Sequence, residues 1–289
     1  MQADWLRTIL LGAAAMVQRS LKPFGFRLSR TVAGHRIRFD PATDLGLHLL
    51  VTGRFEASSI DQCARFIQPD SIVLDIGANI GVHTVQFAVL ANRGKVISFE
   101  PARSTFARLL ENVGGIENVI PLNVALGETS GPSTFYIAQD DAFSGLKDTG
   151  RKPILRLETV ACYRGDEIVP ALVQGGRISL VKIDVEGLEV AVMRGMEQLL
   201  RAHRPVVFCE IFGGANSNPD PQGTLEFCVS LGYQAFVLAD DRLIPATKHR
   251  DALYNYFFIP SEIANGEIGG SPQRNSRRLW RNGADRCRI

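Results

Sequence analysis

The residues from Val73 to Gly81 have the types and the spacing of a nucleotide-type binding loop. Three apolar residues surround Asp75, and Gly77 and Gly81 follow four positions apart. Glycine allows the positive φ and the close backbone approach of a tight turn. The first amides of the next helix can then bind polar ligand groups. The pattern predicts a buried strand, a turn and a helix at the carboxyl end of the first strand of an α/β sheet.

The acids near this loop indicate which ligand it binds. Asp75 would repel a pyrophosphate, whereas it suits a ligand that carries an ammonium group. Glu100 ends the second predicted strand, where an acid can accept hydrogen bonds from both hydroxyls of a ribose. Asn123, followed by Ala125, ends the third strand and is expected at an adenine pocket. A ligand with a ribose, an amino group and no phosphate is S-adenosylmethionine. The alternative is that Asp75 and Glu100 only cap helices.

Three further acids could do chemistry on a second reactant. Asp184 and Glu186 end the fourth predicted strand, and Glu210 ends the fifth, so they lie at the edge of the sheet where ligands bind. Neighbouring acids raise each other's proton affinity. We therefore expect one of Asp184 and Glu186 to be a general base and Glu210 to bind acceptor hydroxyls or the cofactor. One alternative is that these acids bind magnesium, although no nearby Asn completes such a site. Another is that Glu186 and Glu189 only start a helix, where acids are favourable, and this is the expected role of Glu189.

An alternation of strand and helix patterns predicts the elements that position these residues. The predicted parallel strands are residues 72–76, 95–99, 119–123, 178–184 and 205–211, and residues 233–238 and 254–259 form a terminal antiparallel pair. The predicted helices are residues 82–91, 104–113, 188–203, with Gly195 as a candidate break, and 223–231. Residues 132–137 and 154–160 are predicted as short strands of a long insertion, and residues 24–30 and 35–39 as a hairpin around Ala33-Gly34.

Four segments resemble a known protein family. Residues 75–81 (DIGANIG), 99–101 (FEP), 123–127 (NVALG) and 181–187 (VKIDVEG) together resemble the FkbM family of S-adenosylmethionine-dependent O-methyltransferases. Residues 53–56 (GRFE) are similar to the family's G-x-[FY]-E. The resemblance implies a Rossmann-like class I methyltransferase fold, α/β, with a seven-stranded and mostly parallel sheet. It also implies methylation of a hydroxyl on a sugar, a glycolipid or a polyketide-type molecule.

The resemblance also implies which residues contact the ligands. The expected cofactor-binding residues are Asp75, Gly77, Ala78, Asn79, Gly81, His83, Thr84, Glu100, Pro101, Asn123 and Ala125. His83 and Thr84 stand where the family often has an aromatic residue. Acceptor contacts are expected from residues 53–56, 139–147 and 213–222, with Glu56 and Ser144 as candidate substrate residues. No metal is expected.

The chain is expected to divide into three parts. Residues 1–69 form an N-terminal helix and hairpin, residues 70–262 a methyltransferase domain, and residues 263–289 a basic, disordered tail. An apolar stripe in residues 5–17 is too short to span a membrane. It is expected to pack on the domain or on a second subunit, or to lie on a membrane surface. Five cysteines without CxxC spacing favour a reducing, cytoplasmic location.

Charge separates the competing functions. Residues 271–289 carry six arginines and one acid, so a net charge of +2 for the chain leaves −3 for the rest. A negative charge outside the tail gives no sign of a nucleic-acid partner. The segment after the fourth strand also lacks the Pro-Pro-aromatic turn of base methyltransferases, since it reads Asp184-Val185-Glu186-Gly187. A small-molecule or glycan O-methyltransferase is therefore predicted, with a nucleic-acid or protein methyltransferase and a non-catalytic binding protein as alternatives.

Overall fold

A mixed eight-stranded sheet forms the centre of the computed structural model, which describes residues 27–213 and 218–267. The strands in chain order are β1 (Leu28–Val32), β2 (His35–Phe39), β3 (Ile72–Ile76), β4 (Lys95–Phe99), β5 (Val119–Leu122), β6 (Ala125–Leu126), β7 (Gly131–Ala138), β8 (Ile154–Tyr163), β9 (Ile178–Ile183), β10 (Val206–Glu210), β11 (Tyr233–Ala239), β12 (Arg242–Pro245) and β13 (Asn255–Pro260). The central sheet has the order β12-β11-β13-β10-β9-β3-β4-β5. The strands from β10 to β5 are parallel, and β13, β11 and β12 pair antiparallel.

The five predicted parallel strands and the antiparallel pair β11 and β13 are confirmed. The sheet has one strand more than the seven that were predicted, because β12 pairs with β11 at the edge. Asp240 and Asp241 join these two strands, and both have positive φ. A two-residue hairpin loop needs such backbone angles. Aspartate is a weaker sequence signal for them than Asn-Gly, which is why the hairpin was missed.

Helices cover both faces of the sheet. They are α1 (Asp44–Thr52), α2 (Ala57–Cys63), α3 (Val82–Leu90), α4 (Arg103–Val113), α5 (Gly165–Val173), α6 (Glu189–Gly195), α7 (Glu197–His203), α8 (Pro221–Ser230) and α9 (Ser261–Glu267). The break at Gly195 is confirmed, and a Cβ there would lie 1.9 Å from the carbonyl oxygen of Gly127. Helix α5 was not predicted, since it begins with a glycine and contains Pro170, both poor helix formers.

Strand alternation decides which core each side chain enters. On β3, Ile72, Leu74 and Ile76 face the helices α5 to α8, in one hydrophobic core. Val73 faces α2 and α3, in the other core. Asp75 has the same parity as Val73, so its side chain also points toward α3. This orientation governs the chemistry of the site.

The described part of the N-terminal extension packs on the domain. The hairpin of β1 and β2 is confirmed, and its Val32, Ile37 and Phe39 pack against α4 and the loop after β3. Helix α9 crosses the boundary predicted at residue 262, so the expected disordered tail is wrong for residues 263–267. The predicted helix in residues 5–17, residues 24–26 and residues 268–289 lie outside the described residues.

The insertion between β5 and β9 forms a small sheet of its own. Its two predicted strands are β7 and β8, which pair antiparallel, and β6 pairs parallel with β8. A short 3-10 helix, Asp141–Phe143, follows β7. None of the helices in residues 27–213 and 218–267 is long and apolar enough to cross a membrane.

Candidate functional site

A cavity of about 290 Å³ lies at the carboxyl ends of β3, β4, β9 and β10. Its floor is the three loops that follow β3, β4 and β9, and its roof is residues 141–146 of the insertion. Helix α1 and the start of α3 close one side. The predicted site residues that line it are Gly77, Ala78, Asn79, His83, Glu100, Pro101, Ala125, Ser144, Asp184, Glu186 and Glu210.

The loop after β3 has backbone geometry that requires glycine. Gly77 has φ of 75°, and a Cβ at this position would lie 1.8 Å from the carbonyl oxygen of Asp184. The amides of Gly77 and Ala78 both donate to the carbonyl oxygen of Phe99 at 3.0 Å. The loop is therefore held between β4 and β9, and its outer surface is left to the cavity.

Glu100 presents a carboxylate to the cavity from the end of β4. It accepts hydrogen bonds from the amides of Asn79 (3.0 Å) and Ala102 (2.9 Å). Burial raises its pKa to about 7, although these two amides favour the charged form. Asn123 does not line the cavity. Its amide donates to the carbonyl oxygens of Glu100 and Pro101 and so fixes this loop.

The structure does not support a direct contact between Asp75 and a ligand. The Asp75 carboxylate is fully buried under α3, where Thr84 donates a hydrogen bond to it at 2.6 Å. Lys182 lies beside Asp75 in the strand register, and its Nζ is 3.5 Å from Oδ1 of Asp75. Asp75 and Thr84 therefore support the loop from below, and so does Gly81, which caps α3 with φ of 90°.

Lys182 is the central cation of the site, and sequence reasoning gave it little weight. Its side chain is buried, and its Nζ contacts the carboxylate of Asp184 at 3.1 Å and the carbonyl oxygen of Gly77 at 2.7 Å. Burial by itself lowers the pKa of Lys182, but Asp184 and Asp75 raise it above its ordinary value. The alternation Val181-Lys182-Ile183 was the available signal, because it places Lys182 on the face of the sheet that carries Asp75.

The two acids predicted as general base both contact a cation. Asp184 pairs with Lys182, and Glu186 accepts a hydrogen bond from Arg151 at 2.7 Å. Burial, and then the charge of Asp184, raise the pKa of Glu186 to about 7, while Arg151 opposes the rise. Glu189 accepts from the amide of Gly187 in the first turn of α6, as expected of a residue that starts a helix.

Glu210 differs from these acids because it has no cation in contact. No group of the described residues donates a hydrogen bond to its carboxylate. Burial, followed by the charges of Asp184 and Glu56, holds the pKa of Glu210 well above its ordinary value. Residues 27–213 and 218–267 contain no group of three or more His, Cys, Asp or Glu that could hold a metal ion.

Glu56 lies behind the cavity wall, in contact with His83. Its Oε2 is 3.2 Å from Nε2 of His83, and its Oε1 accepts a hydrogen bond from Asn255. Burial opposes ionisation of Glu56, but His83 and Asn255 stabilise its charged form and lower its pKa. His83 itself lines the cavity. Glu56 thus reaches the site through His83, rather than by the direct acceptor contact that was expected.

Arg151 joins the roof of the cavity to its floor. Its guanidinium lies between the rings of Phe143 (4.4 Å) and Phe212 (4.6 Å) while it donates to Glu186. Ser144 contributes to the roof in a structural way, since its hydroxyl accepts from the amide of Ala138. Sequence reasoning missed Arg151 and Phe212, and it included Phe143 only as part of the loop of residues 139–147, because aromatic and basic residues in loops carry no spacing that predicts their contacts.

Comparison with known proteins gives a consistent result. The family model described as the methyltransferase FkbM domain matches residues 75–235. The chain is 30% identical over 189 residues to the hexuronic acid methyltransferase AglP of Haloferax volcanii, and this alignment covers 64% of this chain and 74% of that protein. It is 28% identical over 152 residues to the 2-O-methyltransferase NoeI of Sinorhizobium fredii, and this alignment covers 47% of this chain and 62% of that protein. The crystal structure of a methyltransferase FkbM from Methylobacillus flagellatus KT aligns with a TM-score of 0.43 and 12% identity, over 71% of this chain and 55% of that one.

Proposed function

This chain belongs to the FkbM methyltransferase family, and from that premise we propose that it transfers a methyl group from S-adenosylmethionine to a hydroxyl of a sugar or related small molecule. The observation that carries the proposal is one cavity that is lined by Glu100, just after β4, by Asp184 and Glu186, just after β9, and by Glu210, at the end of β10. The names of two relatives, a hexuronic acid methyltransferase and a 2-O-methyltransferase, support a sugar as the acceptor class.

The loops after β3 and β4 fit the donor. Gly77 leaves the backbone bare at the turn, and Glu100 offers a carboxylate that can accept two ribose hydroxyls. Pro101 and Ala125 add small apolar surfaces beside it. The bound donor would supply an electrophilic methyl group on a positively charged sulfur. An acidic cavity stabilises that charge and disfavours ligands with several phosphates.

The acids on the other side of the cavity fit a polyhydroxylated acceptor. Asp184 and Glu186 each have one cation partner, so their remaining carboxylate lone pairs can accept hydrogen bonds from acceptor hydroxyls. Glu210, with its raised pKa, can donate one. Several such contacts fix the orientation of a sugar, and orientation is a large part of the barrier to a displacement reaction.

The roof of the cavity excludes water from the reacting groups. Phe143 and Leu146 come from the insertion, and Phe212 from the segment after β10. Apolar side chains at this position keep water away from the methyl group, which favours transfer to the acceptor over hydrolysis.

A donor titration and an acceptor panel test the proposal. Calorimetry with S-adenosylmethionine should show one binding site per chain, and Glu100→Gln should lower the affinity of that site. Methyl glycosides of neutral and acidic hexoses, total RNA and a protein extract would each be incubated with labelled donor and analysed by mass spectrometry. Methylation of a glycoside hydroxyl supports the proposal. Donor binding with methyl transfer to RNA or protein alone would refute it.

A further inference from the structure

His83 and Glu56 form a buried pair at the wall of the cavity, 27 residues apart in the sequence. Nε2 of His83 is 3.2 Å from the Glu56 carboxylate and is buried without a well-aligned hydrogen bond. No described residue hydrogen-bonds the other ring nitrogen, Nδ1, and the ring lines the cavity. The Glu56 end of the pair is fixed by Asn255, which also donates to Ser59.

A carboxylate beside Nε2 determines the state of the imidazole. It favours the tautomer with the proton on Nε2, which leaves a lone pair on Nδ1. It also stabilises the imidazolium that forms when Nδ1 takes up a proton. We propose that His83, oriented by Glu56, is the general base that accepts the proton of the acceptor hydroxyl. This inference rests on the proposed function, and it replaces the expectation that Asp184 or Glu186 is the base.

The acids of the cavity already have a cation partner or a proton. Asp184 contacts Lys182 at 3.1 Å and Glu186 accepts from Arg151 at 2.7 Å, so one oxygen of each carboxylate is occupied. Glu186 is the competing candidate for the base, because burial raises its pKa to about 7. Glu210 has no cation in contact, and burial together with the charges of Asp184 and Glu56 favours its protonated form, which is not a base. His83 lines the cavity and combines an open nitrogen acceptor with a carboxylate that stabilises its charged form.

The His83 ring is packed among aromatic side chains at the start of α3. Its centroid is 6.5 Å from that of Phe208 on β10. Phe55 and Phe87 flank the ring at 5.5 Å and 6.0 Å. Of the charged and titratable groups nearby, Glu56 contacts the ring directly. Lys182 from β9 and Glu210 from β10 interact electrostatically with Glu56, and His48 from α1 contacts Phe55.

The proposed step balances without a further reactant. The acceptor oxygen forms a bond to the methyl carbon while the carbon–sulfur bond breaks, and the sulfur keeps the electron pair as a neutral thioether. The hydroxyl proton passes to Nδ1 of His83 and leaves to solvent when the products dissociate. General-base assistance of this kind typically contributes a factor of about 10² to 10⁴ to the rate.

The state of the imidazole can be measured without an acceptor. We would record nitrogen and carbon NMR of histidine-labelled protein, saturated with S-adenosylhomocysteine, and assign His83 with the variant His83→Ala. The expected result is a neutral ring protonated on Nε2, with this tautomer less favoured in Glu56→Gln. A ring protonated on Nδ1 would overturn the inference.

Kinetics test the same residue during turnover, with the glycoside that the acceptor panel identifies. We expect His83→Ala to lower kcat about 100-fold or more, to leave the affinity for the donor within about threefold, and to lose the acidic limb of the pH–rate profile. Added imidazole should restore part of kcat. His35→Gln, a histidine on β2 outside the cavity, is the matched control and should behave as the wild type.

The outcomes separate this inference from the proposed function. If His83→Ala keeps more than a tenth of kcat with the same pH profile, or if the acidic limb disappears in Glu186→Gln instead, His83 is not the base, although the methyltransferase function stands. If no glycoside is methylated, the proposed function fails, and the NMR result still decides the state of His83. If His83→Ala does not fold, as judged by circular dichroism, Glu56→Gln carries the same kinetic test.

Discussion

Nζ of Lys182 donates a hydrogen bond of 2.7 Å to the carbonyl oxygen of Gly77, which ties β9 to the turn after β3. The same ammonium group contacts the carboxylates of Asp75 and Asp184. One buried cation therefore holds together the turn after β3 and Asp184. The fit of this part of the site depends on a buried charge that itself lines the cavity.

Lys182→Met should destabilise the protein. The substitution leaves the fully buried Asp75 without a cation, and the loss of one partner of a buried pair costs about 3–5 kcal/mol. We expect the free energy of unfolding in urea to fall by that order and the donor affinity to fall with it. The double variant Lys182→Met with Asp75→Asn should recover part of the loss. The control variant Lys95→Met removes only an exposed hydrogen bond to Gln174 and should change stability by less than about 0.5 kcal/mol. An equal effect of both lysine variants would contradict the prediction.

Gly77→Ala should weaken donor binding and destabilise the fold. Its Cβ would lie 1.8 Å from a carbonyl oxygen, at a φ of 75°. Gly115→Ala is a matched control, because Gly115 has φ of 85° but no atom within 4 Å of the added Cβ. The control isolates the cost of the backbone angle, about 1–2 kcal/mol. Urea unfolding should show a clearly larger loss for Gly77→Ala, and similar losses would mean that the close contact is relieved at little cost.

Donor affinity should increase with pH through the range set by Glu100. Its pKa is raised to about 7 by burial, and only the ionised carboxylate accepts hydrogen bonds from both ribose hydroxyls. Calorimetry between pH 5.5 and 8.5 should show this dependence. Glu100→Gln should flatten it and weaken binding about tenfold to a hundredfold, as expected for the loss of a charged hydrogen bond. The exposed-residue variant Glu117→Gln should retain the wild-type curve, and a pH dependence that survives in Glu100→Gln would point to another group.

The same group affects stability in the absence of ligand. Because the folded protein binds the Glu100 proton more tightly than the unfolded chain does, this residue does not oppose folding below about pH 4.5. As the pH rises from there to about 7, the unfolded chain loses this proton first, and the free energy of unfolding falls. Glu100→Gln should remove this part of the pH dependence, which urea unfolding at pH 5 and pH 7.5 can measure.

Arg151→Met should loosen the roof of the cavity. The variant loses the ion pair with Glu186 and the contacts of the guanidinium with two aromatic rings. We expect faster amide hydrogen exchange in residues 141–146 and an increase of about tenfold in KM for the acceptor. Arg151→Lys should restore little, since an ammonium group lacks the planar geometry for stacking. Arg156→Gln, which breaks an exposed pair with Glu158, is the control. Unchanged exchange in Arg151→Met would show that the roof is held by other contacts.

The strands of the sheet were largely predictable from the sequence. The faces on which their polar side chains lie were also predictable, but they did not enter the prediction of the ligand contacts. Strand alternation places Val73 and Asp75 on one face of β3 and Leu180 and Lys182 on the same face of β9. This pattern indicates that Asp75 points under α3 toward Lys182. The ligand assignment for Asp75 followed its position before the glycine turn and overlooked this rule, so a residue that supports the loop was taken for one that contacts the donor.

The sequence by itself determined the positions of the parallel strands, the glycine turn at Gly77, the acid at Glu100 and the family, because each of these is carried by short segments of the chain. Only the tertiary structure decided that Glu56 contacts His83, that Lys182 joins Asp75 to Asp184, and that Arg151 covers the cavity. These contacts join distant segments, and the packing of helices and loops on the sheet sets their distances. Local patterns indicate which face of a strand a charge lies on, but they do not give its distance from a charge on another segment.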